Sequence, residues 1–430
     1  MNDPRWLIGC VAVLLAGVTA AAQSPKALNL KDAEAIAVKN HPKVRAALLT
    51  ALAANQVTAE TRSAYYPDVF GSVTGAGAHG NNDRISAGGI TNSVIYERLA
   101  TGFTVLETLT DFGRTSNLTA SARLRAEAQQ DTVDATRQQV LLQVDVDYFA
   151  ALRAEAVLKV AEQTVAARQA VVDQVTALFQ SKLKSGLDVS FANVNLSEAK
   201  LLLIGAQNDV RGAFADLSQA LGNNTRETFA LADEPLPPAL PDKPDDLILE
   251  ALRQRPDLLT LRLEHQAALR FAAAEKDLSL PTVSAVGAAG HLLTHDNRLP
   301  DDYAAAAINL NVPVFNGRLF SARKNEARLR AEAVAQNVRD SENLISRDVA
   351  VQWLNANTAF QRLAVTKDLL NEAKQALDLA QARYDLGLGA IVELSQAQLN
   401  ETSAEIASAR ALYEYQGQRS VLAYQTGALR

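Results

Sequence analysis

Beyond residue 22 the 430-residue sequence has no cysteine and no methionine, because its single Cys is Cys10 and its single Met is Met1. Disulfides, thiol catalysis and cysteine metal sites are thereby excluded from that part of the chain. Aromatic residues are scarce, at 5%, and a net charge of −6 is spread along the chain without any basic run. A nucleic-acid binder needs a positive patch, so no nucleic-acid partner is expected. Long apolar runs are missing as well. The longest, Trp6 to Val18, is too short to span a bilayer, which takes about 20 residues. Arg5 precedes it and Ala20-Ala21-Ala22 follows, small residues of the kind a signal peptidase reads, so residues 1–22 are read as a signal peptide. Leu7-Ile8-Gly9-Cys10 looks like a lipoprotein box, but only four residues of apolar run precede Cys10, where an h-region needs roughly 7–15. No phosphate loop, nucleophile elbow or zinc motif occurs, so neither an enzyme nor a bound cofactor is expected. The five histidines (His41, His79, His265, His291 and His295) form no catalytic set. His291 and His295, with Asp296, are expected to be a solvated cluster in an external loop and not a metal site.

What the sequence does contain is one unit written twice. Ala122-Arg123-Leu124-Arg125-Ala126-Glu127-Ala128 recurs unchanged from Ala327 to Ala333, a shift of 205. Under that shift Val133, Val140, Val144 and Tyr148 fall on Val338, Ile345, Val349 and Trp353, and Gly222 falls on Gly427. Upstream the shift is 214, since Pro42 matches Pro256 and Pro67 matches Pro281, so the second half is shorter by nine residues between Pro67 and Ala122. A length change of this kind marks a surface loop. The first repeat is placed at 23–222 and the second at 246–430. Between them, residues 223–245 hold Pro235, Pro237, Pro238, Pro241 and Pro244, the composition of an extended, semi-rigid strap.

Glycine and proline are absent from Arg114 to Ser185 and from Arg318 to Leu386, where alanine, leucine, glutamine, glutamate and arginine abound. Both stretches read as helix, about 114–185 and about 318–386. Some 70 residues make a rod of roughly 100 Å, far longer than a globular helix. Val133, Val140, Val144 and Tyr148 give one apolar stripe along it, and the alanines permit close approach of neighbouring rods. Shorter helices are expected at Leu30–Tyr65, at 188–221 and at 391–426. Two short helices stacked end to end match one long one, so each repeat presents two columns and the chain four.

Between the first short helix and the long one the composition turns to Gly, Ser, Thr, Val and Phe, which are strand signals. Strands are expected at about 68–80 and 94–109, joined by the Gly- and Asn-rich loop Asn81–Ser93, and at about 282–291 and 303–314. In the last of these, Ala304, Ala306, Ile308, Leu310 and Val312 alternate with Ala305, Ala307, Asn309 and Asn311. Apolar and polar faces then follow at the length of a membrane strand. Four strands cannot close a barrel and an open edge is not tolerated in lipid, so several chains must contribute. A trimer makes a 12-stranded barrel, within the known range. A dimer would make one of 8, whose interior is filled by side chains.

With this architecture in view, the chain resembles the TolC-like outer membrane efflux protein family over its whole length after residue 22. Asn40-His41-Pro42-Lys43-Val44 and Arg255-Pro256-Asp257-Leu258 look like the family's first-helix motif in each repeat. Tyr66-Pro67 and Leu280-Pro281 sit where the family enters its membrane strands. Asp111-Phe112-Gly113-Arg114 and Val312-Pro313-Val314-Phe315-Asn316-Gly317-Arg318 are similar to its strand-to-helix exit, which singles out Gly113, Arg114, Pro313, Gly317 and Arg318. Ala382-Arg383-Tyr384-Asp385-Leu386-Gly387, with Ile391-Val392-Glu393-Leu394 after it, looks like its helix-hairpin tip. The resemblance implies a mainly α fold with a membrane β-barrel portion: a homotrimer in outer-membrane lipid whose 12-stranded barrel sits on a 12-helix tunnel. It also implies docking to a periplasmic adaptor protein and an inner-membrane pump, in a tripartite efflux or type I secretion system. Arg255-Pro256-Asp257-Leu258 further resembles a branch associated with drug-type efflux.

At the tips the resemblance implies an acidic pair one helical turn apart at the periplasmic constriction. The matching positions are Glu393 and Gln396, so one acid of the two is kept, and Gly389 stands where a basic residue often precedes them. Asp188 is the equivalent of Glu393 in the first repeat. The alternative reading of Glu393 is a solvated helix-start carboxylate acting only on the helix dipole. Gly186, Gly387, Gly389 and Tyr384 are the candidates for the tip turns and for adaptor docking. Two other classes compete. A periplasmic adaptor has one long hairpin inside β-rich flanks and not a duplicated unit. A secreted coiled-coil protein accounts for the rods but gives the strands and the strap no purpose.

Overall fold

In the computed structural model, residues 27–77, 84–87, 90–94, 97–223 and 229–429 are described. The expected signal peptide and Cys10 lie outside them. In chain order the elements are β1 (Ala27–Leu28), α1 (Leu30–Asn40), α2 (Pro42–Ser63), β2 (Asp68–Ala76), β3 (Arg84–Ala87), β4 (Ile90–Val94), β5 (Arg98–Thr110), α3 (Arg114–Gln180) and α4 (Gly186–Ala220). They continue with β6 (Ala230–Leu231), α5 (Asp245–Gln254), α6 (Pro256–Asp277), β7 (Thr282–His295), β8 (Asp302–Asn311), α7 (Leu319–Asp385) and α8 (Ile391–Thr426).

The two long helices are each 67 residues, rods of about 100 Å. The stripe read along the first is its buried seam: Val133, Val140, Val144 and Tyr148 are all enclosed, as are Ile345 and Val349 in the second. Much of the remaining core is alanine, including Ala122, Ala126, Ala151 and Ala161 in α3 and Ala327, Ala331, Ala356 and Ala373 in α7. Small side chains let the helix axes close together. α2 and α4 both flank α3, at opposite ends of it, while α6 and α8 pack between α3 and α7. Four columns result, two of them continuous and two made of stacked pairs.

Each short first helix differs from expectation, being two helices and not one. The residue before a proline is pushed out of the α region by the proline ring, and His41 (ψ 124°) and Arg255 (ψ 120°) are extended just before Pro42 and Pro256. His41 then caps α2, its Nδ1 accepting the Lys43 N–H at 3.1 Å. The return helices end against these breaks. Gly222 has φ +77°, and a Cβ there would lie 3.0 Å from His41 Cα; Gly427 has φ +76°, and a Cβ would lie 3.2 Å from Arg255 N.

β2, β5, β7 and β8 form one antiparallel sheet in that order, so the strands of the two halves meet at β5–β7. Val69 pairs with Val105, Val105 with Gly287 and Gly287 with Ala306; Phe103 and Ile308 share that face, and Phe70, Thr104, Ala288 and Ala305 the other. Val69, Val73, Phe103, Ile308 and Leu310 are exposed in the protomer, making one apolar sheet face. Three strand limits are corrected. β5 begins at Arg98, and the expected loop Asn81–Ser93 contains a small hairpin, β3–β4, that takes Val94. β7 runs on to His295, placing His291 and His295 on a strand, where they pair with Asp302 at 2.8 Å and Asp301 at 2.9 Å. β8 stops at Asn311, because Pro313 has no N–H for a ladder. Gly113 (φ +113°) and Arg318 (φ +67°) make the left-handed N-caps of the long helices, beside Gly317, and Arg114 is the first residue of α3.

The proline-rich segment is laid across the helices by side chains that hold its carbonyls. The Tyr148 hydroxyl meets the carbonyls of Leu28 (2.8 Å) and Ala232 (2.7 Å), Tyr415 that of Pro238 (2.8 Å), Gln416 that of Glu234 (2.9 Å), and the Trp353 indole that of Pro241 (2.9 Å). β1 and β6 pair in parallel beside Tyr148.

Candidate functional site at the hairpin tips

Farthest along the helices from the sheet, α3 turns into α4 and α7 into α8 by the same backbone device. Leu183 N–H reaches Leu178 C=O and Lys182 N–H reaches Phe179 C=O, both at 2.9 Å; Leu388 N–H reaches Arg383 C=O at 2.8 Å and Gly387 N–H reaches Tyr384 C=O at 3.1 Å. These are Schellman caps, whose C′ residue is left-handed. Gly387 fills that position in the second tip (φ +73°), whereas the first tip carries Lys182 there at φ +58°. α3 ends at Gln180 and α4 begins at Gly186, so the first tip is longer than the expected break at 185–188.

The two equivalent acids behave differently, and the preceding residue decides it. Ser185 caps α4 in a reciprocal box, with Ser185 N–H donating to Asp188 Oδ2 at 2.9 Å and Asp188 N–H to Ser185 Oγ at 3.3 Å. Burial works to raise the Asp188 pKa, but the Ser185 bonds and the Lys184 charge outweigh it and hold it below the ordinary carboxylate range. At the second tip the cap position is Ala390, which offers no side-chain hydrogen bond. Glu393 therefore reaches across the turn to Arg383, Oε1 to Nε at 3.1 Å. The basic partner that is missing at Gly389 is supplied from the end of α7. Gly389 itself packs against Arg383, where a Cβ would come within 3.2 Å of the Arg383 Cβ. Gln396 turns along α8 to Asn400, at 2.9 Å.

Under the turns lies a small core of Val175, Tyr384, Ile391 and Leu394 from α3, α7 and α8. Tyr384 is 1% exposed, so its ring is enclosed in the tip and is not presented to a docking partner. Its hydroxyl has no hydrogen-bond partner; burial first, then the Asp188 and Asp385 charges, raise its pKa. The Lys184 ammonium sits 3.9 Å from the ring centroid, a cation–π contact joining the two hairpins. Gln174 to Asp385 (3.0 Å) and Asn195 to Ser395 (2.7 Å) join them further. Among the side chains the tips present outward, Phe179, Leu183, Leu187, Leu386, Leu388 and Val392 are apolar and 47–74% exposed, beside the exposed Lys182, Arg383, Asp385 and Glu393. Sequence reading took the glycines and missed these leucines and Arg383, whose only signal is their position beside the turn.

Among the described residues no group of three His, Cys, Asp or Glu could hold a metal, and no helix is long and apolar enough to cross a membrane. Comparison with known proteins agrees with the architecture. Structures similar in fold include a membrane protein from Pseudomonas aeruginosa (TM-score 0.80, 22% identity, 93% of each chain covered). The outer-membrane channel OprN is another (TM-score 0.81, 19% identity, 93% of this chain and 90% of that one). In sequence, the outer membrane efflux protein BepC of Brucella suis biovar 1 (strain 1330) is 23% identical over 410 residues, 94% of this chain and 86% of that protein. The outer membrane protein TolC of Escherichia coli (strain K12) is 22% identical over 418 residues, 94% and 83% respectively. The family model described as outer membrane efflux protein matches residues 35–223 and 247–428. With that match over most of its length, in two segments that each run from helix through strands to long helix, the chain belongs to the outer membrane efflux protein family and is an outer-membrane protein.

Proposed function

We propose that three copies of this chain close a 12-stranded barrel in the outer membrane and a 12-helix tunnel beneath it, the exit duct of a tripartite efflux or type I secretion system. The observation that carries this is the β2–β5–β7–β8 sheet, apolar on one face, with β2 and β8 as open edges, mounted on two rods of 67 residues. An open edge in lipid leaves backbone groups unpaired at several kcal/mol each, and pairing β8 of one copy with β2 of the next removes both edges. Conduction through such a duct is passive. The exposed leucines around the two tip turns supply the docking surface for a periplasmic adaptor, which links the duct to an inner-membrane pump. Glu393, repeated three times about the axis, contributes a ring of carboxylates at the constriction. Native mass measurement of the detergent-extracted protein tests the assembly: a trimer is expected, and a stable monomer or dimer overturns it.

A further inference from the structure

Where α1, α3 and α8 meet, Asp145 of α3 is 2% exposed. Glu34 of α1 and Ser420 of α8 adjoin it. α1 is packed onto the same stretch of α3 through Ala33 and Ala37, against Val144 and Tyr148. Asp145 Oδ1 is enclosed yet receives no hydrogen bond, and so is Gln416 Oε1, one helical turn before Ser420 on α8. Gln416 is also 2% exposed, and its amide nitrogen is already committed to the Glu234 carbonyl.

An ionised carboxylate can only accept hydrogen bonds. A carboxylate oxygen and an amide oxygen enclosed without a donor are each costly, and the half-buried Glu34 sets a second carboxylate beside the first. Among the described residues no cation answers them from inside. The charged groups acting on the pair are Lys31, from the exposed side of α1, and Glu234 of the strap, which is itself negative and accepts the Leu30 N–H at 3.0 Å. α8 contributes the uncharged Ser420 and Gln416, and no charge of α3 other than Asp145 acts on the pair. The missing donor is a proton.

We infer that the junction of α1, α3 and α8 is a proton-binding site, in which Asp145 and Glu34 share one proton that fastens α1 to the helix bundle. With the proton bound, one carboxyl becomes a donor to the other. Without it, the enclosed Asp145 carboxylate faces the half-buried Glu34 carboxylate, both negative, and α1 is the element free to move away. Burial above all, with the Glu34 charge adding to it and the Ser420 hydroxyl opposing, pushes Asp145 up to about 8 from its ordinary 3.8. Burial raises Glu34 as well, so the two titrate as a pair. A folded-state value above the unfolded one gives stability that is complete below about pH 4 and is lost as the pH climbs to about 8.

Hydrogen exchange of the segment Leu30–Asn40 in the full-length detergent-solubilised protein tests this, with wild type compared to Asp145→Asn at each pH so that intrinsic exchange chemistry cancels. The wild-type protection, relative to the variant, is expected to fall by up to about tenfold per pH unit between about pH 5 and 8. A ratio that stays constant across that range overturns the inference. Should Asp145→Asn fail to assemble, Glu34→Gln keeps Asp145 and is expected to move the fall to lower pH; no movement overturns it. The infrared carbonyl band of a protonated carboxylic acid gives a second reading on the wild type. It is expected near neutral pH and gone by about pH 10, and a spectrum that loses no such band overturns the inference also.

Discussion

Glu393 shows how little a residue's identity says about its use. Its equivalent Asp188 sits one turn into an equivalent helix, but Ser185 turns that acid back onto its own cap while Ala390 leaves Glu393 free to meet Arg383. Both partners of this ion pair are about half exposed, and an exposed pair is worth about 0–1 kcal/mol. Removing it costs the fold little. In the proposed trimer one copy becomes three, and its consequence is then for ions in the tunnel. Glu393→Gln is expected to reduce cation preference and block by multivalent cations in planar bilayers, with the heat stability of the assembled protein unchanged. Unchanged selectivity together with unchanged block places the carboxylate outside the pore. Arg383 could not be read from spacing, because its pairing depends on how a five-residue turn brings two helix ends together, whereas the box of Ser185 with Asp188 is local to one helix start and its three-residue spacing carries it.

At the scale of elements, the recurrence of Gly222 as Gly427 and of Pro42 as Pro256 has one physical cause. Each proline opens a break between two helices, and each glycine ends a return helix in the left-handed region directly against that break. A non-glycine residue in that conformation costs roughly 1–2 kcal/mol, and the Cβ would also press on the Arg255 or His41 backbone. Gly427→Ala is therefore expected to lower stability by at least about 1–2 kcal/mol in chemical denaturation. Gly417→Ala, in the middle of α8 with open space at its Cβ, is expected to be neutral or to gain up to about 1 kcal/mol from helix propensity. Equal effects at the two positions would refute this account. The helix break was open to inference from the Pro42 and Pro256 rule alone; reading one helix through it followed the favourable composition and gave the proline too little weight.

For the molecule as a whole, the strap and the sheet join the two halves alongside the packing of α6 and α8 on α3. Tyr148 stands between the Leu28 and Ala232 carbonyls with a single hydroxyl at 0% exposure; Leu28 C=O also accepts the Ala232 N–H at 3.0 Å, so Tyr148→Phe takes from the Ala232 carbonyl its side-chain donor. An unsatisfied buried group costs about 1–3 kcal/mol. The variant is expected to melt earlier and to be cut faster by protease within 223–245, and cleavage at the wild-type rate would show that the strap is held elsewhere.

The sequence by itself determined the long helices, the presence of four strands, the strap and the order of parts in each half. Those follow from properties that act along the chain: helix propensity, proline and glycine punctuation, and the two-residue and seven-residue spacing of apolar side chains. Tertiary structure alone decided that β5 lies beside β7, pairing Phe103 with Ala289 and so joining the halves in one sheet. It decided equally that Asp145, one acid among many on a helix, lies enclosed against Glu34. Registers and burials of that kind are set by contacts between residues distant in the sequence, whose energies depend on what the intervening chain brings together.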